Sequence, residues 1–240
     1  MSAFKRIIDR EFPGALTESR FLEVAFSALQ QHGFSSENTL PCVGVCRDEL
    51  CRSLPLRIAQ TWAQPFKFSS LAGMLFVGRT GFGAARAHSP IDGERERYAF
   101  IVMTHIGVGA GGEVGRCDRI NRPGHSTACG ALAAFQQELA SGTVRPGTDP
   151  GDLEQSLLKQ RLIRELTWGK TPDLIEVTHV AQRAILADLE ALIADALTAK
   201  TDDWAVFNGI QIHGPNNAPY VWPAASYVVV GGERQELTLN

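Results

Sequence analysis

Residues 40–46, Leu-Pro-Cys-Val-Gly-Val-Cys, are apolar throughout, with no polar residue in alternation. A strand with that pattern has no face for water and must be covered on both sides, as the strands of parallel sheets are. Residues 98–106, Tyr-Ala-Phe-Ile-Val-Met-Thr-His-Ile, form a second strand rich in aromatic and β-branched side chains. Helices are therefore needed to cover these strands, and the rest of the sequence supplies them. Phe21, Leu22, Val24, Ala25, Ala28 and Leu29 follow helical spacing over residues 17–31, with Gly33 as a stop. A second amphipathic helix is expected at 152–166, after the Pro/Gly-rich break at 145–151, and a third at 181–199. Further strands are predicted at 173–180, 204–212 and 226–230, the last two around a Pro/Asn-rich loop.

Some segments are ambiguous. Residues 68–77 are nearly all apolar, and periodicity does not separate helix from strand there. The glycines at 78, 81 and 83 lack the spacing and the lysine of a phosphate loop, so they read as a helix start or a tight backbone approach. Glycines at 107, 109, 111 and 112 suggest a turn, with 113–117 returning as a hairpin partner. Ser126 and Thr127 offer hydroxyl caps to a helix that continues to Phe135. Strands alternating with helices predict an α/β fold: an α/β/α sandwich with a mostly parallel, mixed central sheet, in one domain over residues 1–240.

Composition limits the function. The formal net charge of -3 lacks the basic excess of a nucleic-acid binder. Five cysteines without regular disulfide spacing favour reduced thiols in a cytosol-like compartment. The first twelve residues mix charged and apolar side chains, unlike a secretory signal, and no stretch approaches the roughly 20 apolar residues of a membrane span. The expected protein is soluble and cytoplasmic.

The segment Cys46-Arg-Asp48-Glu-Leu-Cys51-Arg52 closes the first strand and sets a thiol, a carboxylate and guanidinium groups where a helix follows. Asp48 is placed to cap that helix, and Pro55 argues for an early break or kink. Cys46 falls at the carboxyl end of a strand, where open α/β sheets bind their ligands. His105 ends the second strand, and Cys129 stands in the first turn of a helix, where free amides lower a thiol pKa. Taken singly, each has a bland reading as a packed core residue. Together, two thiolates and an imidazole suit zinc with one open coordination position, which is the catalytic pattern.

Cys46-x-Asp48, Met103-Thr-His105 and Ser126-Thr-Ala128-Cys129-Gly130-Ala131-Leu132 resemble the limiting-CO2-inducible protein B/C family, as do Arg86-Ala-His88-Ser-Pro90 and Arg95-Glu-Arg97-Tyr-Ala-Phe-Ile-Val. That family forms the theta class of carbonic anhydrases, similar in fold and site to the beta class. The resemblance implies a beta-carbonic-anhydrase-like fold and Zn2+ held by Cys46, His105 and Cys129. It also implies a homodimer and reversible hydration of carbon dioxide to bicarbonate by zinc-bound hydroxide. Asp48 would accept a hydrogen bond from the zinc-bound oxygen while an arginine holds it. The beta class carries that arginine two residues after the aspartate, where this chain has Leu50; Arg52, one helical turn beyond Asp48, is the expected partner, ahead of Arg47.

His125 is the rival ligand and Cys117 the rival thiolate; Cys46, Cys51, Cys117 and Cys129 could instead close a structural zinc site. His88 or His125 would relay protons, and residues 68–82 would form the carbon dioxide pocket. The alternative functions are a catalytically inactive zinc-stabilised scaffold or inorganic-carbon-responsive binding protein of the same fold and, more remotely, a cysteine-nucleophile hydrolase.

Overall fold

The structure, a computed structural model, describes residues 1–119, 122–167 and 169–239. Its first half runs α1 (Ala3–Glu11), β1 (Leu16–Thr17), α2 (Glu18–Gln31), β2 (Leu40–Gly44), α3 (Ser53–Thr61), β3 (Phe66–Lys67), α4 (Gly78–Arg86), β4 (Ile91–Asp92) and β5 (Arg95–Gly107). The second half adds β6 (Arg116–Arg119), β7 (Arg122–Thr127), α5 (Gly130–Ser141), α6 (Leu153–Ile163), α7 (Leu174–Ala196), β8 (Asp202–His213), β9 (Pro219–Val230) and β10 (Glu233–Glu236).

The described strands form an eight-stranded sheet and a separate β6–β7 hairpin. In the large sheet β3, β2, β5 and β8 lie side by side in parallel. β9 joins β8 antiparallel, and β1 and β10 pair with β9 in the same sense. Every residue of β2, and β5 from Tyr98 to Gly107, is buried. The absence of alternation in these runs thus reports a sheet covered on both faces, as expected.

Two adjacent residues of β8 show the two layers. Phe207 meets Phe21 of α2 edge-on, with ring centroids 6.1 Å apart. Asn208 points the other way, donating to the Val102 carbonyl at 3.1 Å and accepting from Gln182 of α7. α3 extends the α2 layer, since Trp62 at its end stacks on Phe26 at 4.6 Å. α4, α5 and α6 lean on α7. The chain is an α/β/α sandwich with a mixed, largely parallel sheet. One buried cluster draws on residues from Phe21 to Val229. Among the described residues no helix is long and apolar enough to cross a membrane.

Several local expectations change. Residues 173–180 are the start of α7 and not a strand. Asp173 accepts the Glu176 amide at 2.8 Å, an N-cap that opens the helix. Residues 113–115 do turn back on the end of β5, where Val114 bridges Val108 antiparallel and the Gly115 amide donates to the Gly107 carbonyl at 2.8 Å, and from Arg116 the chain continues as β6, which pairs with β7. β9 begins at Pro219, inside the expected loop, and Pro223 is accommodated where the register slips opposite Asn208 and Gly209. In 68–77 only a 3-10 turn, Leu71–Gly73, is regular. Phe68 and Phe82 are buried among Phe66, Tyr98 and Phe100, so these aromatics fill the core. Each such buried ring contributes roughly 1.5–3 kcal/mol.

Candidate metal centre

Three elements meet at the carboxyl ends of β2 and β5. Cys46 lies just beyond β2, where its backbone bridges Ser70 and the Arg47 amide donates to the Ser70 carbonyl at 3.2 Å. His105 stands near the end of β5, aligned with Gln211 of β8. Cys129 is the N-cap residue of α5. Gly73 lets the Ser70 segment press against β5: its φ is +76°, and a Cβ there would fall 2.2 Å from the Met103 carbonyl oxygen. Cys46, His105 and Cys129 are all buried, and their ligand atoms lie within 4.8 Å of one another.

The electrostatics of this trio are unequal. The Cys46 thiol is lowered to about 4, chiefly by a hydrogen bond from the Cys129 thiol; burial opposes this, and His105 adds to it. Cys129 is pushed well above the ordinary thiol range by the same contact and by burial, although the Leu132 and Ala131 amides pull it down. The expected lowering of the Cys129 thiol by helix amides is present, but the Cys46 contact and burial outweigh it. The two sulfurs share one proton, and Cys46 carries the charge. Nε2 of His105 is buried without a partner at hydrogen-bonding geometry. Such an orphaned nitrogen costs about 1–3 kcal/mol unless another group completes it. Two sulfurs that would release their shared proton, facing an unpartnered imidazole nitrogen, fit a soft divalent cation such as zinc.

Asp48 sits beside this group. Its backbone amide donates to Cys46 Sγ at 3.5 Å, and its Oδ1 accepts the Leu50 amide at 3.1 Å, capping a 3-10 turn, Glu49–Arg52, that runs into α3. Pro55 falls in the first turn of α3, where a missing N–H is tolerated. The guanidinium that reaches Asp48 is that of Arg119 at the end of β6. It donates to Oδ1 at 3.2 Å and to Oδ2 at 3.4 Å, and both side chains are 14% exposed. Burial raises the Asp48 carboxyl, but the Arg119 hydrogen bonds, the Leu50 amide and nearby positive charge outweigh it and leave it lowered.

Arg52 is exposed, and no contact between it and Asp48 is present among the described residues. Arg47 turns outward to Glu154 at 2.5 Å. The expected Asp48–Arg52 pairing is thus replaced by Asp48–Arg119. One helical turn of spacing requires a regular helix, whereas the tighter 3-10 turn at Glu49–Arg52 rotates Arg52 away. No local sequence spacing could have revealed Arg119, which is 71 residues distant.

The rival residues fall elsewhere. His125 is exposed and pairs with Asp118 at 3.3 Å. Cys117 packs against Leu50 and Ala128, with its thiol 3.5 Å from the Ser126 carbonyl. His88 is exposed beside Phe66. None of the three belongs to a ligand group among the described residues.

The sequence reading missed His213. It is the last residue of β8 and, like His105, a polar residue terminating a buried strand, which is the signal that could have flagged it. Burial and the adjacent His105 lower its imidazole to about 3, so it is neutral. With Cys51 it forms a second buried group that shares His105. A cleft of about 390 Å³, bordered by Glu49, Leu50, Ser53, Arg119, His213 and Asn217, opens beside the centre.

Residues 15–230 match the family model of the limiting CO2-inducible proteins B/C, described as beta carbonic anhydrases. The crystal structure of the limiting CO2-inducible protein LCIB is 32% identical, with a TM-score of 0.80 over 96% of this chain and 97% of that one. That of PtLCIB4, a homolog of LCIB, is 25% identical, with a TM-score of 0.84 over 97% of this chain and 98% of that one. No curated protein matches at the level of sequence. The chain belongs to the limiting CO2-inducible B/C family.

Proposed function

We propose that this member of the limiting CO2-inducible B/C family is a zinc-dependent carbonic anhydrase that interconverts carbon dioxide and bicarbonate. The observation that carries the reading is the unpartnered, buried Nε2 of His105 in one cluster with two buried sulfurs, with an arginine-held carboxylate alongside. Zinc bound by Cys46, His105 and Cys129 would supply a Lewis acid that makes water nucleophilic near neutral pH.

The remaining work belongs to the chain. Cys46 and Cys129 as thiolates balance a dication, so the buried centre carries no uncompensated charge. Asp48, ionised and held at both oxygens by Arg119, accepts hydrogen bonds and donates none. It therefore seats an oxygen that still carries a proton and aims that oxygen's lone pair away from itself, toward carbon dioxide. The Leu50 amide fixes Oδ1, which limits rotation of the carboxylate. The cleft bordered by Arg119 and His213 is the proposed path for substrate and product. The buried thiols are proposed to work in a reducing compartment such as the cytoplasm, because oxidation would consume two of the three ligands.

The test is elemental analysis paired with stopped-flow hydration on protein expressed with zinc. About one zinc per chain and hydration lost in Cys46→Ser, His105→Ala and Cys129→Ser are expected. Zinc-loaded protein without hydration would make the chain an inactive scaffold. Retention of zinc by His105→Ala would overturn the ligand set.

A further inference from the structure

We propose that His213 is a positioning residue for the metal-binding histidine: its Nε2 accepts the hydrogen bond from Nδ1–H of His105 and so commits Nε2 of His105 to the two sulfurs. The inference rests on the reading of His105 as a ligand and assigns work to a residue outside that ligand set.

The geometry is specific. Nδ1 of His105 lies 3.1 Å from Nε2 of His213, and the rings meet edge to face at 76°. Both side chains are buried. The two strands that carry them run in continuous parallel register, from Glu96 opposite Asp202 to Gly107 opposite His213. His105 and His213 therefore share one face, two residues out of step, on the most extensively paired ladder of the sheet. A neutral imidazole has one N–H. With that proton on Nδ1 of His105 and donated to His213, the Nε2 lone pair is free and aimed at the centre. A ligating histidine is ordinarily held in this way by a carboxylate, a carbonyl or a water. Here a second imidazole does it, which requires His213 to keep its own proton on Nδ1. The Cys51 sulfur, 3.7 Å from the same Nε2, is the more distant neighbour.

Two substitutions separate hydrogen bonding from packing. His213→Phe keeps ring volume and removes the acceptor, whereas His213→Gln places an amide oxygen near the Nε2 position. Zinc affinity, measured by chelator competition on the full chain, should fall about 10- to 100-fold in His213→Phe. In His213→Gln it should stay within about threefold of wild type, as expected when the acceptor is kept. Nitrogen-15 NMR of the zinc-loaded wild-type protein should show Nδ1 of His105 protonated and Nε2 of His213 unprotonated. Wild-type affinity in His213→Phe, or equal loss in both variants, would overturn the proposal. A proton on Nε2 of His213 in the wild-type spectrum would do the same, and that measurement decides the matter even if His213→Phe does not fold. Hydration activity enters none of these readouts. An inactive protein that binds zinc would sink the proposed function and leave the role of His213 intact.

Discussion

Arg119→Met should unfold more easily than wild type by about 3 kcal/mol in the metal-free protein, because it strands a largely buried carboxylate. In the native structure Asp48 receives two charge-assisted hydrogen bonds from Arg119, at 3.2 and 3.4 Å, with both side chains 14% exposed. Hydrogen bonds to charged groups contribute about 1.5–3 kcal/mol each, and these are long, which places each at the lower end. Breaking a buried pair from one side costs about 3–5 kcal/mol, and the residual exposure again selects the lower end. Glu49, also bonded to Arg119, has a 63% exposed side chain and adds little. With a urea slope of about 3 kcal/mol per molar, the unfolding midpoint should fall by about 1 M. The sign with pH follows from Asp48, whose folded carboxyl is lowered. Its stabilisation is complete above the unfolded value of about 3.9 and is lost as pH falls through the lower folded value. The gap between wild type and Arg119→Met should therefore be full at neutral pH and narrow below about pH 4. Arg52→Met, on the exposed arginine, should stay within about 0.5 kcal/mol of wild type. Equal midpoints for wild type and Arg119→Met, or a larger loss in Arg52→Met, would refute this account.

In metal-free protein Cys46 should titrate near pH 4, seen as thiolate ultraviolet absorbance that is lost in Cys46→Ser. Because this pKa lies below the unfolded value of about 8.5, the thiolate's contribution to stability is full above that pH and disappears as pH falls through 4. A titration step only near pH 8–9 would contradict the shared-proton description. Gly73→Ala should destabilise the fold by about 3 kcal/mol and weaken zinc binding, since the new Cβ meets the Met103 carbonyl oxygen at 2.2 Å with φ at +76°. A wild-type urea midpoint for Gly73→Ala would show that the loop is free to move away from β5.

The strands β2 and β5 were legible because burial on both faces leaves a one-dimensional trace, an apolar run without alternation. α2 was legible for a related reason, its single buried stripe. α7 was partly misread because Ile175, Val177, Thr178 and Val180 are buried in close succession and Glu176 is the one exposed position among them. A wide buried face blurs the 3.6-residue signature over a short stretch, and β-branched residues then mimic a strand. The spacing of Asp173 and Glu176 was the available signal, a capping pattern at the true helix start.

The sequence by itself determined the layered α/β architecture, through burial patterns that each strand and helix carries locally. It also indicated Cys46, His105 and Cys129 as residues at element ends, the places where such sheets gather polar groups. Only the tertiary structure decided which groups meet. Arg119 reaches Asp48 across 71 residues, and His213 reaches His105 across 108. Those contacts depend on the parallel register of β5 with β8 and on the path of the β6–β7 hairpin, neither of which is written in local periodicity. The division of charge between the sulfurs has the same origin. A thiol's proton goes where burial and neighbouring donors place it, and both exist only once the chain has folded.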